Sequence, residues 1–364
     1  MEQRAPAGAR TGSPSRSSGP SRPSGLQLAL ERIWQTRGPA AWLLLPLSGL
    51  FGALVRLRRL LYRAGWLKSE RLPVPVVVVG NIFVGGTGKT PLTIWLVQRL
   101  RDAGRCPAVV SRGYGANTAM PRLVTTASTP AEVGDEPVLI AERAQCPMAV
   151  GRDRAAAARL LLQSHPEIDV LLLDDGLQHY ALARDVEIML FDGRGAGNGW
   201  MLPAGPLREP VSRRRDVTVI NGASTAPGVP AGSIRMDLRG DTAVRLCDSS
   251  QRLRLPDLAD PAAEPPRRLL AAAGIGNPER FFRMLEGFGL RFERLPLPDH
   301  HDFADDPFAA CDADVILITE KDAVKCRLAE TARQDERLWY VPVEAAIDAA
   351  LAEYLVLRLR DIER

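Results

Sequence analysis

Lysine is scarce in this sequence. Only four lysines stand among the 47 basic residues of the 364-residue chain. We interpret the excess of arginine over lysine as a base-composition bias of the genome. A lysine that is retained despite this bias can mark a position where the broader guanidinium group of arginine does not fit. Lys89, Lys321 and Lys325 lie inside the motifs described below, whereas Lys68 has the surroundings of an ordinary surface residue.

Cysteine is also sparse, and the charge is nearly balanced. Five cysteines are scattered singly without a C-x-x-C pair, which argues against a disulfide framework or a zinc site and indicates a reducing cytosol. The formal net charge of +4 gives no reason to expect a nucleic-acid partner. No obligate protein partner is inferred. The 46% of hydrophobic residues suit a globular chain with one large or two modest domains.

The N-terminal part has two differently composed segments. Residues 1–25 lack large apolar side chains, which predicts a disordered tail. Residues 26–70 are predicted to be a membrane-associated helical segment, since the uncharged stretch 38–55 runs into the basic, leucine-rich sequence VRLRRLLYRAGWL. The stretch is barely long enough to cross a bilayer, and Pro46 weakens a continuous spanning helix, which favours a helix in the interface. A buried core helix with a solvated basic end is the alternative.

Short apolar runs alternate with helical patterns in the rest of the chain. This alternation predicts an α/β fold, with a P-loop NTPase-like, mostly parallel sheet flanked by helices in residues 71–222. Residues 223–267 are predicted to be a small β region or connector, and residues 268–364 a second, smaller α/β part. In that last part, VILITEKDAV predicts a strand that enters a loop, and residues 344–360 predict a terminal helix.

A phosphate-binding loop is predicted where the strand VPVVVVG enters NIFVGGTGKT and then a helix. Backbone N–H groups of the glycines would surround phosphate oxygens of ATP, Lys89 would reach the β and γ phosphates, and Thr90 would hold Mg²⁺. Phe83 stands where the usual pattern has glycine. A glycine-rich helix cap without a ligand is the alternative. Eight residues are predicted to contact the nucleotide: Val84, Gly85, Gly86, Thr87, Gly88, Lys89, Thr90 and Pro91.

The motif IDVLLLDDGLQH predicts an apolar strand that ends in two carboxylates. At the carboxyl end of a parallel strand, Asp174 or Asp175 can bind Mg²⁺ directly or through water. Neighbouring side chains on a strand point to opposite faces, so only one of the two reaches the metal unless the strand has already ended. A simple Asp-Asp-Gly turn is the alternative.

Taken together, the motifs resemble one family. Across residues 75–326, eight of them are similar, in the same order, to motifs of the tetraacyldisaccharide 4'-kinases: GNIFVGGTGKTP, SRGYG, VGDEP, DDGLQH, LPAGPLREP, AGIGNPERF, LPDHHDF and TEKDAVK. The resemblance implies transfer of the γ-phosphoryl group of ATP to the 4'-hydroxyl of a tetraacyldisaccharide 1-phosphate, with Mg²⁺ as cofactor. It also implies that the protein lies on the cytoplasmic face of the Gram-negative inner membrane, where it meets this lipid A precursor.

The resemblance also assigns roles to individual residues. It places the proton-accepting pair at Asp135 and His300, in which His300 can orient Asp135 or share its proton, with His301 as the less favoured partner. Lys89 would stabilise charge during phosphoryl transfer. Each cationic residue of the remaining motifs can instead be a surface residue in an ion pair. Four residues are predicted to contact the substrate: Arg112, His179, Arg208 and Glu209.

Two other functions fit parts of the sequence. The motifs GGTGKT and TEKD are compatible with a P-loop regulatory GTPase or ATPase switch at the membrane, because TEKD is faintly similar to a guanine-reading loop. However, partition-type ATPases have lysine where this chain has Val84, and no GTPase switch sequence is evident. A nucleotide sensor without enzymatic activity would leave the motifs VGDEP and LPDHHDF without a purpose.

Overall fold

The protein has an α/β fold, as predicted, built on two sheets. The computed structural model describes residues 30, 32–115, 120–222, 225–259 and 267–362. The predicted disordered tail, residues 1–25, lies outside these described residues.

Within the described residues, the first sheet has nine strands in the spatial order β15-β8-β7-β6-β1-β5-β2-β4-β3, and only the edge strands β15 and β3 run antiparallel to their neighbours. The strand bounds are β1 Val76–Gly80, β2 Pro107–Ser111, β3 Arg122–Val124, β4 Met148–Val150, β5 Val170–Asp174, β6 Val186–Asp192, β7 Val217–Asn221, β8 Ile234–Arg239 and β15 Glu344–Ile347.

Helices cover both faces of this sheet, so its central strands are entirely buried. Alternate side chains of β1 enter different cores: Val77 and Val79 pack with the helices α2, α4 and α9, whereas Val76 and Val78 pack with α5. This explains why the strand is a continuous run of valine without alternation. The helix bounds are α2 Lys89–Asp102, α3 Pro130–Val133, α4 Asp135–Ala144, α5 Arg154–Ser164 and α9 Ala350–Ile362.

The second sheet has six strands in the order β10-β9-β14-β13-β11-β12. The strands β14, β13, β11 and β12 are parallel, with β9 and β10 added in antiparallel orientation. The element bounds are β9 Thr242–Arg245, β10 Arg252–Arg254, β11 Leu269–Ala273, α6 Pro278–Glu286, β12 Glu293–Pro296, β13 Val315–Thr319, α7 Glu320–Cys326, α8 Glu330–Gln334 and β14 Leu338–Val341, with a 3₁₀ turn at Leu255–Ala259.

Two local predictions in the C-terminal part are wrong. The strand β13 enters a helix, α7, rather than a loop, because the Thr319 side chain accepts a hydrogen bond from the Asp322 backbone N–H and so caps that helix. The terminal helix begins at Ala350, and the preceding segment 344–347 is the strand β15, which pairs with β8.

The two sheets also divide the chain differently from the predicted segments. Within 223–267, β8 belongs to the first sheet and β9 and β10 to the second. Within 268–364, β15 returns to the first sheet, and three leucines of α9 join the core of α2. The chain therefore crosses between the two sheets more than once. The two sheets border the same cleft, which is described below.

The helix α1, Pro39–Arg63, runs without interruption through Pro46. Its docked side is narrow: Ala41, Ser48 and Gly52 are buried, and the Ser48 hydroxyl donates to the Met201 carbonyl at 2.8 Å. On the other side, a row of leucines is more than half exposed. Among the described residues, α1 is the one helix long and apolar enough to cross a membrane by length and composition alone.

Candidate active site

A cleft of about 740 Å³ opens where the carboxyl ends of both sets of parallel strands face each other. This is where α/β proteins bind their ligands, because loops and helix N-termini converge there. The first sheet contributes the loop after β1 and the turn after β5, and the second sheet contributes the turn after β11 and the start of α7. Eight predicted nucleotide contacts line this cleft: Val84, Gly85, Gly86, Thr87, Gly88, Lys89, Thr90 and Pro91.

The predicted phosphate loop joins β1 to α2. Gly88 immediately precedes α2 and has a left-handed backbone, with a φ of 98°. A side chain at this position would come within 2.4 Å of the Asn221 amide nitrogen, so only glycine fits. The first backbone N–H groups of α2 have no partner within the helix, and they present positive charge to the cleft. Lys89 Nζ lies 3.4 Å from the Asn81 side-chain oxygen and 3.6 Å from an Asp175 oxygen.

The unusual Phe83 has a defined place in the loop. The guanidinium of Arg194 lies 4.4 Å from the centre of the Phe83 ring, donates to the Gly86 carbonyl at 3.1 Å, and pairs with Asp192 at 2.7 Å. The aromatic ring therefore steadies the arginine that fixes the loop backbone. No pattern in the sequence connects these residues, and sequence analysis missed Arg194.

The second sheet also touches the phosphate loop. Arg280, at the start of α6, donates to the Thr87 carbonyl at 3.3 Å, and Asn221 of β7 donates to the same oxygen at 2.8 Å. A side chain at Gly276 would meet the Gly86 nitrogen at 3.2 Å. The loop is consequently held from both sides, and sequence analysis missed this contribution of the AGIGNPERF motif.

The two carboxylates after β5 have different environments. Asp174 is buried and accepts hydrogen bonds from Ser111 at 3.2 Å and Thr93 at 3.4 Å. Burial raises its pKa to about 7. Asp175 has a left-handed backbone, so the strand has ended before it, and both side chains line the cleft. Burial alone would raise the pKa of Asp175, but Lys89 and Arg208 hold it below its ordinary value.

The site fits a magnesium ion. Mg²⁺ prefers oxygen ligands, and the cleft offers hydroxyl and carboxylate oxygens at Thr90, Asp174 and Asp175. Two oxygens close to the loop, Asp175 Oδ1 and Thr87 Oγ1, are buried without a hydrogen-bond partner, although Asp175 Oδ1 faces the Lys89 ammonium group at 3.6 Å. Buried polar atoms normally have hydrogen-bond partners, so both oxygens have capacity left to bind a ligand in the cleft.

Asp135 and His300 meet although 165 positions separate them. His300 Nδ1 lies 2.9 Å from Asp135 Oδ2. Asp135 is the first residue of α4, and the preceding Gly134 has a φ of 96°, which turns the chain sharply into the helix. His300 has a left-handed backbone, and its ring lies 5.1 Å, centre to centre, from the Tyr114 ring at an angle of 41°. The imidazole lines the cleft, with the carboxylate behind it.

Two lysines stand behind this pair. Lys325 Nζ is 3.2 Å and Lys321 Nζ is 3.8 Å from Asp135 Oδ2. Burial would raise the pKa of the Asp135 carboxyl, but the hydrogen bond from His300 and the two ammonium groups hold it well below its ordinary value. The scarcity of lysine was the signal for these residues in the sequence.

The predicted substrate contacts separate into two groups. Arg112 and Arg208 line the cleft. His179 and Glu209 are not among the described residues that line it. Burial lowers the pKa of His179 to about 4, and its Nε2 is buried without a hydrogen-bond partner.

Glu209 belongs to an internal network. Its carboxylate accepts from the Tyr180 hydroxyl at 2.7 Å and pairs with Arg213 Nε at 2.8 Å. Both members of the ion pair are almost completely buried, which gives Glu209 contacts that hold the fold together. The cleft contains other side chains that the sequence analysis did not single out: Tyr114, Glu136, Gln178 and Asp299.

The chain is similar to known proteins. The family model described as tetraacyldisaccharide-1-P 4'-kinase (LpxK) matches residues 40–360. The tetraacyldisaccharide 4'-kinase of Janthinobacterium sp. (strain Marseille) is 64% identical over 93% of this chain and 97% of its own length. The enzyme of the same name from Herminiimonas arsenicoxydans is 60% identical, with the same coverage. A crystal structure of LpxK from Aquifex aeolicus in complex with ATP has a TM-score of 0.71 and 28% identity, and the match covers 88% of this chain and 99% of that one.

Proposed function

Because the chain belongs to the tetraacyldisaccharide-1-P 4'-kinase family, we propose that it transfers the γ-phosphoryl group of ATP to the 4'-hydroxyl of a tetraacyldisaccharide 1-phosphate, a lipid A precursor. The observation that carries this proposal is the Asp135–His300 pair, whose imidazole lines the same cleft as the phosphate loop. A regulatory switch needs no such pair beside its nucleotide. Family and geometry both favour the kinase over the switch.

The residues on the nucleotide side of the cleft would bind and neutralise the phosphates. Backbone N–H groups from Gly85 to Thr90 surround the phosphate oxygens, and Lys89 places a cation at the group being transferred. Thr90, Asp174 and Asp175 would hold Mg²⁺, which supplies further positive charge when bound. Arg208 lies 3.5 Å from Asp175, close enough to contribute a second cation to the same region.

The residues on the opposite side would handle the acceptor. The hydroxyl that attacks the γ-phosphorus must lose its proton as the new bond forms, and the Asp135–His300 pair is the group in the cleft suited to take it. Arg112 also lines this cleft and would bind an anionic part of the acceptor. We do not assign His179 and Glu209 to the acceptor site, because neither residue lines the cleft.

A transfer assay with separated acceptors tests the proposal. Labelled ATP is incubated with the full-length protein and the tetraacyldisaccharide 1-phosphate, and the product is located by mass spectrometry. We expect one phosphate added at the 4'-position, and no transfer to a matched acceptor whose 4'-hydroxyl is methylated. ATP hydrolysis that is unaffected by the lipid, without a phosphorylated lipid, would reject the kinase function.

We further propose that the protein is a peripheral or monotopic protein of the cytoplasmic face of the inner membrane. Docking of α1 along the body of the protein supports this, because the Ser48 hydroxyl donates to the Met201 carbonyl and accepts from the Ala204 backbone N–H, each at 2.8 Å. Reporters fused before residue 26 and after residue 362 test the proposal. Both should lie in the cytoplasm, and a periplasmic N-terminal reporter would reject it.

A further inference from the structure

Arg280 is a cation of the cleft that comes from the second sheet. It lies in the first turn of α6, the helix that follows β11, and it lines the cleft together with the phosphate loop. A side-chain carbon built on Gly88 would lie 3.4 Å from Nη2 and 3.5 Å from Nη1 of Arg280. The guanidinium is therefore next to the residue from which α2 begins, where a phosphate loop binds its phosphates.

The contact between Arg280 and the loop leaves most of the hydrogen-bonding capacity of the side chain unused. A guanidinium carries several N–H donors in a fixed fork. Within the described residues, Arg280 donates a single hydrogen bond, from Nη1 to the Thr87 carbonyl at 3.3 Å. The same carbonyl accepts a shorter bond, of 2.8 Å, from the Asn221 side chain. The loop is thus held without Arg280, and the arginine has donors left for another partner.

The positive charge of Arg280 is poorly compensated by the protein. Among the residues that the structure describes, no carboxylate forms an ion pair with it, and Asp192, the acid that favours its charge, pairs with Arg194 instead. Burial lowers the pKa of Arg280, and a cation in the first turn of a helix opposes the helix dipole. The protein's own groups therefore destabilise this charge, and an anion bound in the cleft would stabilise it.

The start of α6 lies against the phosphate loop. A side-chain carbon on Gly276, two residues before α6, would come within 3.2 Å of the Gly86 nitrogen. The Asn277 side chain makes no hydrogen bond that caps the helix, so it does not neutralise the positive end of the helix dipole. The starts of α2 and α6 both lie beside residues 86–88, which gives this part of the cleft positive potential from both sheets.

We propose that Arg280 is a nucleotide-binding residue: its guanidinium binds the phosphate chain of ATP and so joins α6 of the second sheet to the nucleotide held by the phosphate loop of the first. This inference rests on the proposed use of ATP as the phosphoryl donor. The fork of a guanidinium can bind two phosphate oxygens at once, whereas an ammonium group acts as a point charge. Both the charge and the shape of Arg280 therefore contribute.

The chain offers a matched control on the same helix. Arg283 lies one turn further along α6, is exposed, and is not among the described residues that line the cleft. Arg280→Met and Arg283→Met each remove one cation from α6, and only the first removes it from the cleft. Arg280→Gln keeps a neutral donor for the Thr87 carbonyl, so it removes the charge while the contact with the loop is retained. Arg280→Lys keeps the charge without the fork.

The first measurement is calorimetric binding of ATP and of inorganic tripolyphosphate, which has no base. We expect both ligands to bind Arg280→Met and Arg280→Gln roughly ten- to a hundredfold more weakly than the native protein, the range of one charge-assisted contact. Arg283→Met should bind both ligands like the native protein, and Arg280→Lys should lie in between. Native affinity in Arg280→Gln, or a loss for ATP that tripolyphosphate does not share, would overturn the proposal.

The second measurement is amide hydrogen exchange at saturating ATP. In the native protein, ATP should slow exchange both in residues 85–90 and in α6. In Arg280→Gln the loop should still be protected, whereas α6 should exchange as it does without ATP. Loss of protection in both regions would mean that Arg280 only shapes the loop. Protection of both regions would mean that a different residue joins α6 to the nucleotide, and either result would refute the inference.

Phosphate transfer to the lipid separates this inference from the proposed function. If the native protein phosphorylates the lipid while Arg280→Met and Arg280→Gln bind ATP with native affinity, the inference alone fails. If the native protein binds ATP with the predicted dependence on Arg280 and phosphorylates no lipid, the proposed function fails and the role of Arg280 stands.

Discussion

The exposed face of α1 allows a quantitative test of membrane association. Leu47, Leu50 and Leu54 lie within two turns of the helix, and they are 55%, 61% and 56% exposed. None of them belongs to the docked side that contains Ser48 and Gly52. Replacing all three with glutamine should leave the docked side and the helix intact, because glutamine is nearly as good a helix former as leucine.

The magnitude follows from the exposed surface. Fully burying a leucine side chain is worth about 1.5 to 3 kcal/mol, so a leucine that is half exposed gains about 1 kcal/mol when lipid covers the rest. Three such residues then contribute about 3 kcal/mol. Since each 1.4 kcal/mol corresponds to a factor of about ten, the triple variant should bind vesicles roughly a hundredfold more weakly than the native protein.

Sedimentation with vesicles of an anionic and a zwitterionic lipid measures this binding directly. A control variant replaces Leu328 and Leu357, which are each 59% exposed but lie on α7's C-terminal side and on α9, and it should bind like the native protein. Activity toward an acceptor dispersed in detergent should be retained by both variants. Native binding by the triple variant, or equal loss in the control, would refute a membrane-facing α1.

Three further predictions concern the cleft and its surroundings. Lys89→Ala should lower kcat by roughly a thousandfold without changing the thermal midpoint, and a folded variant with near-native transfer would contradict the role of the loop. Replacing both Asp135 and His300 with alanine should lower kcat barely more than the more damaging of the two single replacements. If the two single effects on kcat instead multiply in the double variant, the residues have separate roles. The pKa of His179 is about 4 in the folded protein, against 6.5 for an unperturbed ring. As the pH falls from 6.5 toward 4, the unfolded state therefore binds a proton before the folded state does, and the free energy of unfolding decreases. Because the ring is partly exposed, this decrease in the free energy of unfolding should be about 1 to 2 kcal/mol. The urea midpoint should fall more steeply for the native protein than for His179→Gln between pH 7.5 and pH 4.5, and equal slopes for the two proteins would contradict the prediction.

The parts of the fold that sequence analysis predicted correctly are local in the chain. The run of valines in β1, the glycines after it and the helix that follows are contiguous, so one segment contains the strand, the loop and the helix. The same is true of β5 and the carboxylates that end it. Because all the residues that define such a segment are neighbours in the sequence, their pattern was enough to predict it.

The parts that were missed depend on contacts between distant segments. A four-residue run such as 344–347 has too few residues to reveal its period, and it is a strand because β8 offers it a free edge. The stacking of Arg194 on Phe83 joins positions 111 residues apart, and no spacing rule connects them. Glu209 was predicted to contact the substrate because it lies in a motif. Motifs also contain buried residues that stabilise the fold near a site, and the ion pair between Glu209 and Arg213 is an example.

The distribution of lysine has a practical consequence for chemical labelling. Amine-reactive reagents have four lysine targets besides the N-terminus, and Lys89 and Lys321 line the cleft while Lys325 lies directly behind it. Only Lys68 lies apart, in an exposed segment after α1. The side chains of Lys89, Lys321 and Lys325 are 12%, 16% and 13% exposed, and each pairs with a carboxylate. Since an amine reacts only in its unprotonated form, an amine-reactive reagent should modify Lys68 well before these three lysines, which places a single label away from the cleft.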